Sequence, residues 1–310
     1  MLQILKLKLY YIYDLIFWGI ILRSKFLEPF LIFIRGLLMG SADIVPGVSG
    51  GTIALITGIY EHLVHAISKI RFRCIKPLLK GNIKEFKIKF KEDVDYKFFI
   101  PLLLGIGIAM ISLAKVITYC MDVYTAVTYA FFLGLILAST YVLYKQIAKV
   151  RISHVVLTII GLILAYIFVS LNPIAANHSL PVIFVSGLIA ICAMILPGIS
   201  GSFLLLLLGQ YEYMLGALQG MQMKEIIVFI VGAVIGILGF SKLLNYLLEN
   251  YKEATMAFLI GIMLGTLKIP VVHIAGSLSG GLFPIISIVI AIVVGFVIII
   301  VMETRFDYIN

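Results

Sequence analysis

The motif Pro-Gly-x-Ser-Gly occurs twice in the chain, at residues 46–50 and 197–201. Proline interrupts the hydrogen-bond ladder of a helix, and glycine allows a sharp reversal of the backbone. Both motifs stand between long apolar stretches, so each predicts a helix that breaks and restarts. The restarting helix presents unpaired N–H groups and the positive end of its dipole, which together can bind a phosphate or a carboxylate.

The hydroxyl groups beside each break could donate further hydrogen bonds to such an anion. We therefore predict a substrate-binding site at the two breaks. Its residues are Pro46, Gly47, Ser49, Gly50, Gly51, Thr52, Pro197, Gly198, Ser200, Gly201 and Ser202. The alternative is that glycine and serine only let helices pack closely, as small residues do in membranes. The recurrence of the break favours the binding interpretation.

Two charged residues precede the first break. Asp43 lies three residues before Pro46, where a charged carboxylate in mid-membrane costs about 2.5–3.5 kcal/mol. We predict that Asp43 couples ion or proton movement to the site; the alternative is a local cap or hydrogen bond to the break. Arg35, eleven residues before Pro46, could extend to the membrane surface and attract an anionic headgroup. The second copy has Met194 and Ser186 at these two places.

Other chemistry is weakly indicated. His62 and His65 share one helix face, but the second copy lacks them, and we predict no metal site. The three cysteines are far apart and form no CxxC pair, which indicates neither a disulfide framework nor a zinc site. The sequence contains no Walker, GxSxG, HExxH or dinucleotide-binding motif. We therefore predict no cofactor, no catalytic residue and no ATP-driven pump.

Composition places these motifs in a membrane. The 310 residues are 62% hydrophobic and 13% charged, and the mean hydropathy is +1.16. A soluble domain carries about 25% charged residues, so a water-soluble protein is excluded. Apolar runs exceed the roughly ten residues of a membrane barrel strand, which favours helices. The net charge of +9 is concentrated in residues 69–97, a pattern typical of topology rather than of nucleic-acid binding.

The chain contains an internal duplication. Residues 32–61 align without gaps to 183–212, and residues 115–139 align to 242–266. The two offsets differ by 24 residues, so the first copy carries an insertion of about that size, and we place it in the basic segment 69–97. The predicted units are an amphipathic or spanning N-terminal helix, a first repeat and a second repeat. Their ranges are 1–28, 29–175 and 176–310.

Each repeat begins with two apolar arms that meet at the break, 30–45 with 51–68 and 181–196 with 202–219. Three fuller spans follow in each repeat, near 98–119, 125–145 and 155–171, then near 225–247, 254–272 and 283–302. Whether the arms fold back or cross, each repeat crosses the membrane an odd number of times, so the repeats are predicted to be inverted. Basic loops are cytoplasmic by the positive-inside rule, which places the C-terminus there too.

The predicted fold is therefore an all-α polytopic membrane protein. It has two inverted-topology repeats, each a broken or re-entrant helix pair plus three transmembrane helices, with an extra N-terminal helix. Inverted repeats with broken helices near the midplane are typical of secondary transporters. Membrane lipids surround such a chain, and its oligomeric state stays open.

The stretch GLLMGSADIVPGVSGGTIALITGIYE resembles the signature of a bacterial membrane family long known only as a domain of unknown function. Members of that family are implicated as polyprenyl-phosphate transporters. The resemblance implies a translocase that returns undecaprenyl phosphate from the outer to the inner leaflet of the cytoplasmic membrane, without covalent chemistry. The second copy departs from the motif, because it lacks the aspartate and the Gly-Gly-Thr ending.

Two alternatives remain open. One is a secondary transporter or channel for another small anion. The other is an integral-membrane undecaprenyl diphosphate phosphatase, whose family also pairs inverted repeats with a motif of the type Pro-Gly-x-Ser-Arg-Ser. Here Gly50 and Gly201 replace that arginine, and no ExxxE carboxylate pair occurs, which disfavours the enzyme.

Overall fold

The structure is a computed structural model that describes residues 27–44, 49–71, 73, 77, 81–173, 177–277 and 282–306. These residues form helices and turns, and no strand occurs among them. The predicted N-terminal helix at 1–28 lies almost wholly outside the described residues. The helices are α1 (27–43), α2 (Gly50–Ile56), α3 (Tyr60–Ser68), α4 (Ile83–Asp93), α5 (Tyr96–Val123), α6 (Thr125–Lys145), α7 (Ile152–Phe168), α8 (Leu180–Ile195), α9 (Gly201–Leu207), α10 (Tyr211–Gln219), α11 (Met223–Asn250), α12 (Lys252–Thr266), α13 (Lys268–Gly276) and α14 (Leu282–Phe306).

Five segments of the described chain are long and apolar enough to cross a membrane. They are Tyr96–Val123, Thr125–Lys145, Met223–Asn250, Lys252–Gly276 and Pro284–Glu303. The sixth predicted span is the shorter apolar helix α7, of 17 residues. The prediction of an all-helical, multi-pass membrane protein is confirmed.

The centre of the bundle is formed by α6 and by the membrane segment that begins with α12. In each, 56% of the apolar stretch is buried, against 17% for α5 and α11. Exposed isoleucine, leucine and valine side chains cover the outer faces of α5 and α11, as expected for helices in contact with lipid. The central pair and the peripheral pair occupy corresponding places in the sequence repeat.

Glycine contacts bring the first helix of each repeat close to its long neighbour. A Cβ atom added at Gly36 of α1 would lie 2.2 Å from the carbonyl oxygen of Leu102 in α5. The equivalent glycine of α8, Gly187, would bring its Cβ to 2.3 Å from the carbonyl oxygen of Phe229 in α11. Such distances are too short for any side chain, so both pairs require glycine for the backbones to approach.

The last helix of each repeat packs on the other repeat. Helix α7 packs along α12, where a Cβ at Gly261 would meet the Thr158 carbonyl oxygen at 2.1 Å. Helix α14 packs along α6, where a Cβ at Gly134 would meet the Ile292 carbonyl oxygen at 2.1 Å. The two sequence repeats are therefore interleaved around α6 and α12.

The prediction of continuous second arms at 51–68 and 202–219 is wrong. Each arm is divided into two short helices by a turn at Gly58 or Gly209, which have φ values of 75° and 63°. At the first turn the Gly58 N–H donates to the Leu55 carbonyl and the Ile59 N–H donates to the Ala54 carbonyl. This is the Schellman arrangement, which ends a helix at a glycine, and the second copy repeats it.

Candidate functional site

The two breaks lie against each other although they are about 150 residues apart in sequence. The Ser49 hydroxyl donates a hydrogen bond of 3.2 Å to the Leu196 carbonyl oxygen. The Gly198 N–H donates a hydrogen bond of 2.9 Å to the Thr52 hydroxyl oxygen. Ser49 and Thr52 are each 1% exposed, so these bonds are inside the protein. The structure thus brings predicted site residues of both copies into one buried cluster.

In the first break, Asp43 binds the start of α2. Its Oδ1 atom accepts a hydrogen bond of 2.6 Å from the Gly50 N–H, and Ser49 Oγ accepts one of 3.1 Å from the Gly51 N–H. The Asp43 carboxylate and the Ser49 hydroxyl therefore each satisfy one of the N–H groups that we predicted to bind an external anion. This local hydrogen bond is the alternative that the sequence left open for Asp43.

The space around Gly50 and Gly51 in the first break is too small for a side chain. A Cβ at Gly50 would lie 2.5 Å from the Asp43 carboxylate, so a larger residue would push the carboxylate away. A Cβ at Gly51 would lie 2.8 Å from the Ile195 carbonyl oxygen, so a side chain there would separate the two breaks. Pro46 and Gly47, also predicted for the site, lie outside the described residues.

The second break has no carboxylate. Met194 occupies the place of Asp43, and no side chain among the described residues caps α9. The hydroxyl oxygens of Ser200 and Ser202 are 2.7 Å apart and hydrogen-bonded to each other. The two copies therefore differ in charge, with one acidic break facing one neutral break that carries two hydroxyls.

The second break also packs on central helix α12. Pro197 and Gly198 form the turn directly after α8, and Gly198 has a φ of 86°, which only glycine adopts without strain. A Cβ there would lie 3.1 Å from both the Met263 Cα and the Thr266 hydroxyl oxygen. Gly201 is equally confined, because its Cβ would lie 2.8 Å from the Ala190 carbonyl oxygen.

Arg35 is covered by protein. Only 8% of the residue is exposed, so the structure does not extend its side chain over an open membrane surface as we expected. Eight residues separate it from Asp43 in α1, about 12 Å along the helix. Its attraction for a headgroup stays a prediction.

A set of polar bridges near one end of the bundle was missed by sequence reasoning. Glu61 and Lys252 form an ion pair of 2.5 Å, and His65 Nδ1 lies 3.1 Å from Asn245 Oδ1. His62 Nε2 lies 3.0 Å from Asp95 Oδ2, so the two histidines of α3 have different partners. In the part of the chain that the structure describes, no group of three metal-ligating side chains occurs. These contacts join residues that are far apart in sequence, so no local sequence pattern predicts them.

A second polar cluster lies where the second arm returns. Gln210, fully buried, donates to the Asn177 carbonyl at 3.1 Å, and its side-chain oxygen lies 3.1 Å from His178 Nδ1. The His178 ring is stacked on Tyr213 with the ring centroids 4.0 Å apart. The residues before α8 are thereby held against the residues after α9.

Comparison with known proteins assigns the family. Residues 39–276 match the family described as VCA0040-like, undecaprenyl phosphate translocase-like, and the match includes both breaks. The chain belongs to this family. It is similar to a polyprenyl-phosphate transporter of Vibrio cholerae, with 43% identity over 76% of this chain and 75% of the relative. It is also similar to a polyprenyl-phosphate transporter of Staphylococcus aureus, with 30% identity over 76% of this chain and 83% of the relative. No solved structure matches the chain.

Proposed function

We propose that this protein carries undecaprenyl phosphate from the outer to the inner leaflet of the cytoplasmic membrane without breaking or forming covalent bonds. The two relatives are named polyprenyl-phosphate transporters, which supports the substrate class. The observation that carries the proposal is the contact between the two breaks at Ser49–Leu196 and Thr52–Gly198. It provides a buried cluster of polar groups from both copies within a largely apolar core, and a phosphate needs such polar partners in mid-membrane.

Alternating access would follow from inverted repeats, and the contacts at the ends of helices support that arrangement. Asp95, which caps the start of α5, bonds to His62 of α3, while His65 of the same helix bonds to Asn245 near the end of α11. Helix α5 thus begins where α11 ends. Because α5 and α11 are equivalent in the sequence repeat, these contacts support repeats that run in opposite directions.

We propose that the arms of both repeats fold back as re-entrant pairs. In the second repeat, the Gln210 contacts with Asn177 and His178 hold the exit of the pair beside its entrance. In the first repeat, Gly36 and Gly40 of α1 contact successive turns of α5, so α1 and α5 run in the same direction from the end at which α3 lies. Each break would therefore be reached from its own side of the membrane.

We call the end of the bundle that carries the start of α5 and the end of α11 the basic end. The neighbouring segment 69–97 carries ten lysines and arginines against four acidic residues. The positive-inside rule makes this end cytoplasmic. Lys145 lies 3.5 Å from Glu303 near the end of α14, so the C-terminus would be cytoplasmic as well.

The asymmetry of the breaks suggests how the head is held and released. The Ser200 and Ser202 hydroxyls, without a carboxylate beside them, would bind the phosphate, and Thr52 would extend the same polar cluster. The charged Asp43 carboxylate would repel the bound phosphate, and protonation of Asp43 would remove this repulsion. Proton or cation binding at Asp43 would in this way be coupled to binding of the head, and loss of that proton or cation would be coupled to release of the head toward the basic end.

The test is transport by purified protein in vesicles loaded with undecaprenyl phosphate. The double variant S200A/S202A should lose most of the outer-to-inner movement, because it removes the hydroxyls of the neutral break. S112A is the matched control, since Ser112 lies exposed on α5 with its hydroxyl bonded to its own helix. Transport by S200A/S202A at the rate of S112A would overturn the proposed site, and transport of another anion in preference to the lipid would overturn the proposed substrate.

A further inference from the structure

A cavity of about 440 Å³ lies at the basic end, between α3, the end of α4 and the start of α5. It is separate from the buried cluster of the two breaks. Its lining includes Lys69, Lys91 and Lys97, together with His62 and His65. A cavity of this volume has room for about fifteen water molecules and therefore for a phosphate group with part of its hydration shell.

Two of the acidic residues that line the cavity are already engaged. The Asp93 carboxylate is buried and accepts bonds of 3.1 and 2.8 Å from the Arg73 guanidinium, with a third from the Arg73 N–H. The Asp95 carboxylate lies 3.0 Å from the His62 ring and also caps the start of α5. The Asp93 charge is thus neutralised by Arg73, and the Asp95 carboxylate is held beside the His62 ring.

The three lysines are left with excess positive charge. Within the described ranges, Lys69, Lys91 and Lys97 have no carboxylate at ion-pair distance, and all three are exposed. Because Arg73 neutralises Asp93, the three lysines face only the carboxylates of Glu92 and Asp95. The lining therefore carries an excess of one positive charge, which favours an anion.

Helix α4 indicates that the cavity opens at the level of lipid headgroups. Ile83 and Ile88 are 62% and 59% exposed, and Phe86 and Phe90 follow Ile83 on the same helix face at i+3 and i+7. Three lysines spaced i, i+3 and i+7, including Lys91 of the cavity, line the adjacent face, and Ile88 lies beyond them. A short helix that exposes apolar side chains beside a row of lysines is typical of helices that lie in the membrane interface.

We propose that this cavity is a second anion site that binds a phosphate monoester through Lys69, Lys91 and Lys97. The ligand is the phosphate head of a polyprenyl lipid or a free phosphate ion, which share the recognised chemistry. The inference rests on the proposed function, because a carrier that releases the head at the basic end needs a place that receives it there. It goes beyond that function in assigning a site outside the two breaks.

The experiment uses the purified full-length protein and compares K69Q/K91Q/K97Q with K84Q/K87Q. The control removes two exposed lysines of α4 that do not line the cavity. Inorganic phosphate, titrated calorimetrically, probes the open cavity, since Ser49 and Thr52 at the central cluster are buried. Undecaprenyl phosphate in detergent micelles, with undecaprenol as the blank, probes the lipid.

The triple variant should bind at least one of the two probes about tenfold more weakly than wild type, while the control stays within about twofold. The affinity of the triple variant should also depend less on salt. Weakening for both probes identifies a site open to free phosphate, and weakening for the lipid alone identifies the lipid head as the ligand; either supports the site. No binding by wild type, or equal affinity in the triple variant and the control, overturns it.

The proposed function can fail separately. If S200A/S202A transports normally while the triple variant loses binding, the cavity stands and the central site falls. If the triple variant binds like the control while S200A/S202A loses transport, the central site stands and the cavity falls. Circular dichroism and gel filtration of each variant show whether a loss reflects unfolding.

Discussion

The exchange of Asp43 for asparagine separates the charge of this residue from its hydrogen bond. Asparagine keeps an oxygen that accepts the Gly50 N–H, which Asp43 Oδ1 accepts at 2.6 Å. A bond to a charged acceptor contributes about 1.5–3 kcal/mol and a neutral one about 0.5–1.5 kcal/mol. We therefore expect D43N to lower the free energy of unfolding by about 1 kcal/mol.

The same exchange should strengthen binding of the phosphate head. The two breaks are in contact at Gly51 and Ile195. A phosphate head at the Ser200 and Ser202 hydroxyls would therefore lie close enough to the Asp43 carboxylate for the two charges to repel each other. Two unit charges about 8 Å apart repel by about 2 kcal/mol at an effective dielectric constant of about 20, which corresponds to roughly thirtyfold in affinity. A variant that is less stable yet binds more tightly is not what general damage produces.

The assay is binding of undecaprenyl phosphate to purified wild type, D43N and D43A at mildly alkaline pH, with thermal unfolding measured on the same samples. D43A also removes the charge and should bind tightly, but it leaves the Gly50 N–H without its acceptor and should be the least stable of the three. Turnover in vesicles should be slower in D43N than in wild type, because release lacks the opposing charge. Unchanged or weaker lipid binding by D43N would refute the role given to the Asp43 charge.

Three further predictions concern the fold and the chemistry. G198A should lower the free energy of unfolding by about 1–2 kcal/mol, because Gly198 has a φ of 86° and its Cβ would crowd Met263; G107A, which meets nothing within 4 Å, is the thermal-melt control. E61K should destabilise by less than about 1 kcal/mol because its ion pair with Lys252 is half exposed, and K252E should restore stability in the double variant if the pair matters. Purified protein should release no inorganic phosphate from undecaprenyl diphosphate, and release above a detergent blank would favour the phosphatase.

Local signals in the sequence predicted the helices and the position of the breaks. Pro197 and Gly198 end α8 at the predicted place because proline and a left-handed glycine act on their own neighbours. The duplication placed a second break by analogy. Gly58 could have predicted the turn in the arm, because glycine often ends a helix and an equivalent glycine recurs at Gly209. The continuous hydrophobicity on both sides of Gly58 instead favoured one long helix.

Long-range contacts could not be predicted from the same signals. The Asp43 carboxylate was recognised as unusual, but its partner, the Gly50 N–H, depends on how the chain turns between them. The packing of α7 on α12 depends on backbone approach at Gly161 and Gly261. In the sequence, a glycine within an apolar run does not show which other helix it contacts. An alignment of the two copies could not predict that the repeats interleave, because it identifies equivalent residues and not residues that are in contact.

Cross-linking between the breaks tests the central claim most directly. S49C/L196C, made in a chain whose three native cysteines are replaced by alanine, should form a cross-link with a short thiol reagent, and the cross-linked protein should stop transporting undecaprenyl phosphate. K145C/E303C serves as the positive control, because the Lys145 Nζ and Glu303 Oε2 atoms lie 3.5 Å apart and a bifunctional thiol reagent spans the shorter cysteine side chains. S49C/S112C serves as the negative control. A cross-link in the positive control but none in S49C/L196C, in detergent and in vesicles alike, would contradict the account.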